Sequence, residues 1–172
     1  GSDSTAVILT VDRDSSTTSA FSGVMASGGA AALGVVKKGD GTQIFSGANT
    51  YTGLTDVQAG ALAYGAAGVL ADTAAVKVSG GTLDIGAYND TVAGVQMTAG
   101  SIAGSGGVLT STSDFDLQSG AVSAILGGAV GLSKTTAGTV TLTGANTYSG
   151  NTTVGEGLLV ADNTSGSGTG GG

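Results

Sequence analysis

The sequence predicts an all-β fold, a right-handed parallel β-helix (β-solenoid) of roughly seven to eight rungs. Three observations lead there. Short runs alternate apolar and polar residues with period 2, glycine and serine punctuate those runs, and the chain repeats itself at a long offset.

The alternation is clearest in Thr139–Thr143, which reads Thr-Val-Thr-Leu-Thr, the pattern of a half-buried strand. Val76-Lys77-Val78 and Thr82-Leu83-Asp84-Ile85 flank Ser79-Gly80-Gly81, which reads as a turn. Val92–Met97, Val108–Thr110 and Phe115–Leu117 follow at similar short intervals, each bounded by Gly, Ser or Asn-Asp. No run carries helical periodicity for long enough to make a helix. Ala59–Leu70 is rich in alanine, but Gly60, Gly65 and Gly68 would each cost about 1 kcal/mol in a helix.

Gly47-Ala48-Asn49-Thr50-Tyr51 recurs as Gly144-Ala145-Asn146-Thr147-Tyr148, an offset of 97. Aligning 37–62 with 134–159 at that offset needs no gap and gives 13 identities in 26 positions. Ser22-Gly23 matches Ser119-Gly120 at the same spacing. Short strands with small turns suit a sandwich, a barrel or a solenoid. Self-similarity with small residues at the corners favours coiling in one direction. At roughly 20-odd residues per rung, four or five inward aliphatics would supply something like 6–15 kcal/mol per rung before entropy.

Composition narrows the chemistry. Of 172 residues 34 are glycine, and none is proline, cysteine or histidine. A glycine-rich disordered chain would lack aliphatics, and this one has many. Without cysteine there is no disulfide and no thiolate metal site, and without histidine the commonest general base is missing. A net charge of −7, with Arg13, Lys37, Lys38, Lys77 and Lys134 as the cations, argues against nucleic acid. No run of about 18 apolar residues exists to span a membrane as a helix. The chain reads as a single solenoid segment over 1–172, with 1–5 and 164–172 as frayed or tag-like ends of a piece cut from a longer protein.

At the Gly-Ala-Asn-Thr-Tyr segments the sequence resembles the passenger-associated repeat of bacterial autotransporters. Those repeats read approximately Lys-Thr-Gly-x-Gly-Thr-Leu-x-Leu-x-Gly-x-Asn-Thr-Tyr-x-Gly-x-Thr-x-Val-x-x-Gly-x-Leu. Lys134–Val160 carries one copy and Lys37–Leu62 the other, and Ser79–Gly86 resembles the same passenger sequence. Gln43 stands where the pattern has leucine, so it either turns inward and finds hydrogen-bond partners or shifts its rung by one. Lys38-Gly39-Asp40 and Thr135-Thr136-Ala137 depart from the pattern as well. The resemblance implies a passenger exported through periplasm and outer membrane by a C-terminal β-barrel that lies outside this chain. It implies display at the bacterial cell surface or release from it, with self-association or a host-surface or glycan ligand as possible partners.

The repeat-motif residues are Gly47, Asn49, Thr50, Tyr51 and Gly53, with Gly144, Asn146, Thr147, Tyr148 and Gly150. Asn49 and Asn146 read as corner residues that bond the backbone of adjacent rungs, in preference to ligand-binding residues. Tyr51 and Tyr148 read as covering the end of a rung, in preference to stacking on sugars. Asp12-Arg13-Asp14 and Asp114-Phe115-Asp116 read as solvated carboxylates, and Asn89-Asp90 as a turn signal. Neither Asp cluster has the pattern of a calcium-binding β-roll. No catalytic, cofactor or metal residues are assigned, and no cofactor is expected.

The function expected is structural: a rigid stalk that supports passenger folding and secretion in a parent involved in adhesion or self-association. The alternative is a glycan- or surface-binding module. A fragment of a β-helix polysaccharide lyase or hydrolase comes third, because the carboxylates are scattered where hydrolysis needs two flanking one bond.

Overall fold

The computed structural model describes residues 6–14, 17–29 and 31–171. Within them the chain is a parallel β-solenoid of about seven turns, with no helix among the described residues. The expectation of a frayed segment at 1–5 falls outside them.

Three faces run along the stack. The first contains β1 (Val7–Asp12), β3 (Leu33–Lys38), β5 (Thr55–Val57), β7 (Ala75–Asp84), β9 (Gly94–Ala103), β11 (Phe115–Leu117), β14 (Leu132–Lys134) and β16 (Thr152–Val154), in that order. The second contains β2 (Thr18–Phe21), β4 (Thr42–Phe45), β6 (Ala61–Tyr64), the second halves of β7 and β9, then β12 (Gly120–Val122), β15 (Thr139–Leu142) and β17 (Leu158–Ala161). A short third face stacks β8 (Asp90–Val92), β10 (Val108–Ser111) and β13 (Ile125–Gly127). Every pairing is parallel, so each strand exchanges backbone bonds with strands of the previous and next turns.

Period 2 explains the core. In β5, β8 and β11 the outer two residues are buried and the middle one is half-exposed. Register then stacks inward residues into columns. On the second face Gln43, Leu62, Leu83, Ile102, Val122 and Leu142 follow one another. Gln43 does turn inward and its rung keeps register. Its amide nitrogen donates to the Ser19 and Ile44 carbonyls at 3.2 and 3.0 Å, and its oxygen accepts from the Ser19 hydroxyl at 2.7 Å. A polar side chain is tolerated in an apolar column because its groups are bonded.

Two corners show how the chain turns without hairpins, and the first differs from the sequence reading. Ser79-Gly80-Gly81 is not a loop. β7 continues through it with a register irregularity, so the chain bends from first face to second without leaving the sheet. β9 does the same at Thr98–Gly100. The Asp40-Gly41 pair is a dipeptide that favours tight antiparallel hairpins. Here it lies in the corner between β3 and β4, both paired in parallel to the next turn.

Candidate functional site

The two repeat copies bring their residues to the same corner of the solenoid. Successive turns on the first face pair Val35 with Thr55, Thr55 with Val76 and Val76 with Val95, then Phe115 with Leu132 and Leu132 with Thr152. The 97-residue offset is thus five turns, and equivalent residues of the two copies lie in one column.

Asn49 ties three turns together. Its side-chain oxygen accepts the Met25 N–H of the turn before at 2.8 Å. Its amide nitrogen donates to the Val69 carbonyl of the turn after at 2.8 Å, and to the Gly47 carbonyl at 3.0 Å. Asn146 repeats this, accepting from Leu126 N–H at 2.9 Å and donating to the Gly168 carbonyl at 2.6 Å. Both asparagines are buried. An amide suits the position because one group supplies an acceptor on one side and a donor on the other.

Tyr51 and Tyr148 are fully buried, so neither ring offers a face to a ligand. The Tyr51 hydroxyl bonds the Thr55 hydroxyl at 2.6 Å, and Tyr148 bonds Thr152 at 2.7 Å. Burial pushes the Tyr51 phenol up to about 12; the Thr55 bond opposes the rise and the nearby Asp90 adds to it. Tyr148 is also raised by burial, against its bond to Thr152. Thr50 and Thr147 point outward, and their backbone N–H groups bond the Met25 and Leu126 carbonyls at 2.9 and 2.8 Å.

Gly47 and Gly144 are required by close approach. A Cβ on Gly47 would sit 2.0 Å from the Gly23 carbonyl oxygen, and one on Gly144 2.3 Å from that of Ala124. Gly53 and Gly150 face the same restriction, against Leu33 and against Val130 and Gly131. In each case the obstacle is the backbone of the preceding turn.

Sequence reasoning missed the lysines. Lys37 and Lys134 entered the sequence reading only as part of the charge count, yet both are fully buried, in the column that Val57, Val78, Met97 and Leu117 fill in the turns between. The Lys37 ammonium donates to the carbonyls of Lys38, Gly39 and Ala59 at 2.6, 2.7 and 3.3 Å. Lys134 donates to the carbonyls of Gln118 and Thr136. Burial lowers the Lys37 ammonium below its ordinary value, while Asp12 and Asp40 pull it back up. The signal that could have found them is the repeat itself, which puts lysine at a position with inward parity.

The remaining carboxylates do not converge. Asp114 accepts the Gly131 N–H at 2.7 Å, and Asp116 accepts from the Gln96 side chain at 2.6 Å and from Gln118. Asp12 and Asp14 are exposed on the first turn and its following corner. Among the described residues no three Asp or Glu side chains form a cluster fit to hold a metal ion, and no helix is long and apolar enough to cross a membrane.

Comparison with known proteins bears on these corners directly. The family model described as Passenger-associated-transport-repeat matches residues 35–63 and 132–161, about a third of the chain. The chain is 40% identical over 116 residues to the Adhesin BmaC autotransporter of Brucella suis biovar 1 (strain 1330). That match covers 61% of this chain and 3% of the relative, so the chain spans a very small part of that protein's length. No solved structure matches. Both segments that match the passenger-associated-transport-repeat lie on the parallel β-solenoid, each bringing its Gly-Ala-Asn-Thr-Tyr residues to the same corner.

Proposed function

We propose that this chain is a structural segment of an autotransporter passenger, serving as a rigid stalk and as a template for the folding of neighbouring turns. The observation that carries the reading is the fate of the repeat motif. Asn49, Asn146, Tyr51 and Tyr148, the side chains with most chemistry to offer, are buried and bonded within the stack. The asparagines bond the turns on either side, and the tyrosines bond threonines four residues on in their own turn. In this reading the segment does not catalyse a reaction.

The parent protein would carry a C-terminal outer-membrane β-barrel and present the passenger at the bacterial surface or release it. The relative's name contains the word adhesin, which favours adhesion or self-association as the role of the parent. Each exposed turn edge offers unpaired N–H and C=O groups on which the next turn can form, so folding can advance turn by turn during export. Deleting Lys134–Val160 from the parent should lower surface display more than an equal deletion far upstream. Equal display after both deletions would remove the folding role and leave a plain stalk or a binding face.

A further inference from the structure

Asn89-Asp90 is more than a turn signal. Asp90 opens β8 and is buried, at 4% exposure. One carboxyl oxygen accepts the Leu70 N–H of the preceding turn at 3.0 Å, as Asn49 and Asn146 accept from Met25 and Leu126. The other accepts its neighbour's Thr91 N–H at 2.9 Å. Asp90 therefore does the acceptor half of the corner asparagine's work. Unlike asparagine, it has a donor only when it holds a proton.

A partner for that proton is at hand. The Tyr64 hydroxyl is buried in the preceding turn, makes no well-formed hydrogen bond, and lies close enough to the Asp90 carboxyl to interact with it. The other ionisable groups acting here are Tyr51 and Asp72, and no cation is among them. The strand β10 stacked above contributes Val108, Leu109, Thr110 and Ser111, none of which titrates as an acid. A surface groove of about 420 Å³, lined by Asp72, Asn89, Asp90 and Thr91 among others, gives water and protons a route to the carboxyl.

We propose that Asp90 is a proton-controlled joint in the middle of the solenoid, closed when the carboxyl is protonated and loosened when it ionises. In the closed form the acid O–H donates to the Tyr64 oxygen while the two carboxyl oxygens keep their N–H partners. On ionisation the proton leaves through the groove, and a carboxylate stays in an apolar corner with no counter-ion. Desolvation accordingly holds the group above the ordinary carboxylate range, against the N–H bonds from Leu70 and Thr91 and the nearby Tyr64 hydroxyl. For a folded-state value raised in this way, the stabilisation is complete below the unfolded value of about 4 and is lost as pH climbs through the folded value.

The test is thermal unfolding of the wild-type chain and three variants between pH 4 and pH 9. Relative to Asp90→Asn, the wild type should lose about 3 °C or more as pH rises. Tyr64→Phe removes both the acceptor of the acid O–H and the donor to the ionised carboxylate; the bond to the charged form is the stronger of the two, so the wild-type transition should move to higher pH. Asn49→Asp should transplant the same pH dependence to the first repeat, which keeps the idea testable if Asp90→Asn fails to fold. Parallel pH profiles for wild type and Asp90→Asn, or for wild type and Asn49→Asp, overturn the proposal.

Discussion

The two repeat copies share a corner geometry but differ in what covers them. In the first copy Leu62 and Thr55 are fully buried beneath β7. In the second Leu159 and Thr152 are only part-buried, and Val154 and Leu158 beside them are exposed. The asparagine and tyrosine bonds nevertheless agree to within about 0.2 Å. The corner geometry is therefore kept whether a full turn or only the segment around Gly168 follows it. Burial is set by the turn after it. That separation fits a stack in which each new turn forms on a finished edge.

Three predictions probe this difference, the largest first. Asn49→Ala strands the Met25 N–H and removes the bond to the buried Val69 carbonyl, and should cost about 2–4 kcal/mol. Asn146→Ala strands the Leu126 N–H, but its upper partner, the Gly168 carbonyl, is part-exposed and water can replace the amide. Its cost should be about 1–2 kcal/mol. Urea denaturation of the two variants measures both. Equal costs would mean that the following turn contributes nothing to the corner.

The second concerns alkaline stability. The Tyr51 phenol is raised above its ordinary 10.0 to about 12 by burial. A raised folded value stabilises the protein below pH 10, and that contribution fades as pH climbs from about 10 through about 12, amounting to about 2–3 kcal/mol. Tyr51→Phe should flatten the stability curve over that range more than Tyr148→Phe does. The reverse ranking would contradict the difference in covering.

The third and smallest effect separates charge from shape. Lys37→Met and Lys134→Met place in the column a side chain like that of Met97, and should change stability by less than about 1 kcal/mol in either direction. Lys37→Ala, which empties the space, should cost about 2 kcal/mol or more. A large loss in both methionine variants would show that the ammonium–carbonyl bonds hold the corner, beyond their filling of it.

Much of this architecture was legible in the chain. Alternation in Thr139–Thr143 gave parity, glycines gave corners, and the 97-residue echo gave the long repeat that strand pairing divides into five turns. What escaped has a common physical cause. Hydropathy assigns lysine and aspartate to the surface, whereas Lys37, Lys134 and Asp90 lie inside because column register overrides residue type where backbone groups supply partners. The bends in β7 and β9 escaped because glycine and serine look alike in a loop and in a strand that turns a corner without breaking its ladder. Register, the missing information, is set by contacts between residues about twenty apart in sequence.

Residue-resolved amide hydrogen exchange tests most directly the claim that the repeat asparagines stitch neighbouring turns together. In the wild-type chain the Met25 and Leu126 N–H groups should both be protected, since each is buried on a side-chain oxygen five turns apart. Asn49→Ala should accelerate exchange at Met25 while leaving Leu126 slow, and Asn146→Ala should do the opposite. Fast exchange at both positions in the wild type, or no local change in either variant, would contradict the account.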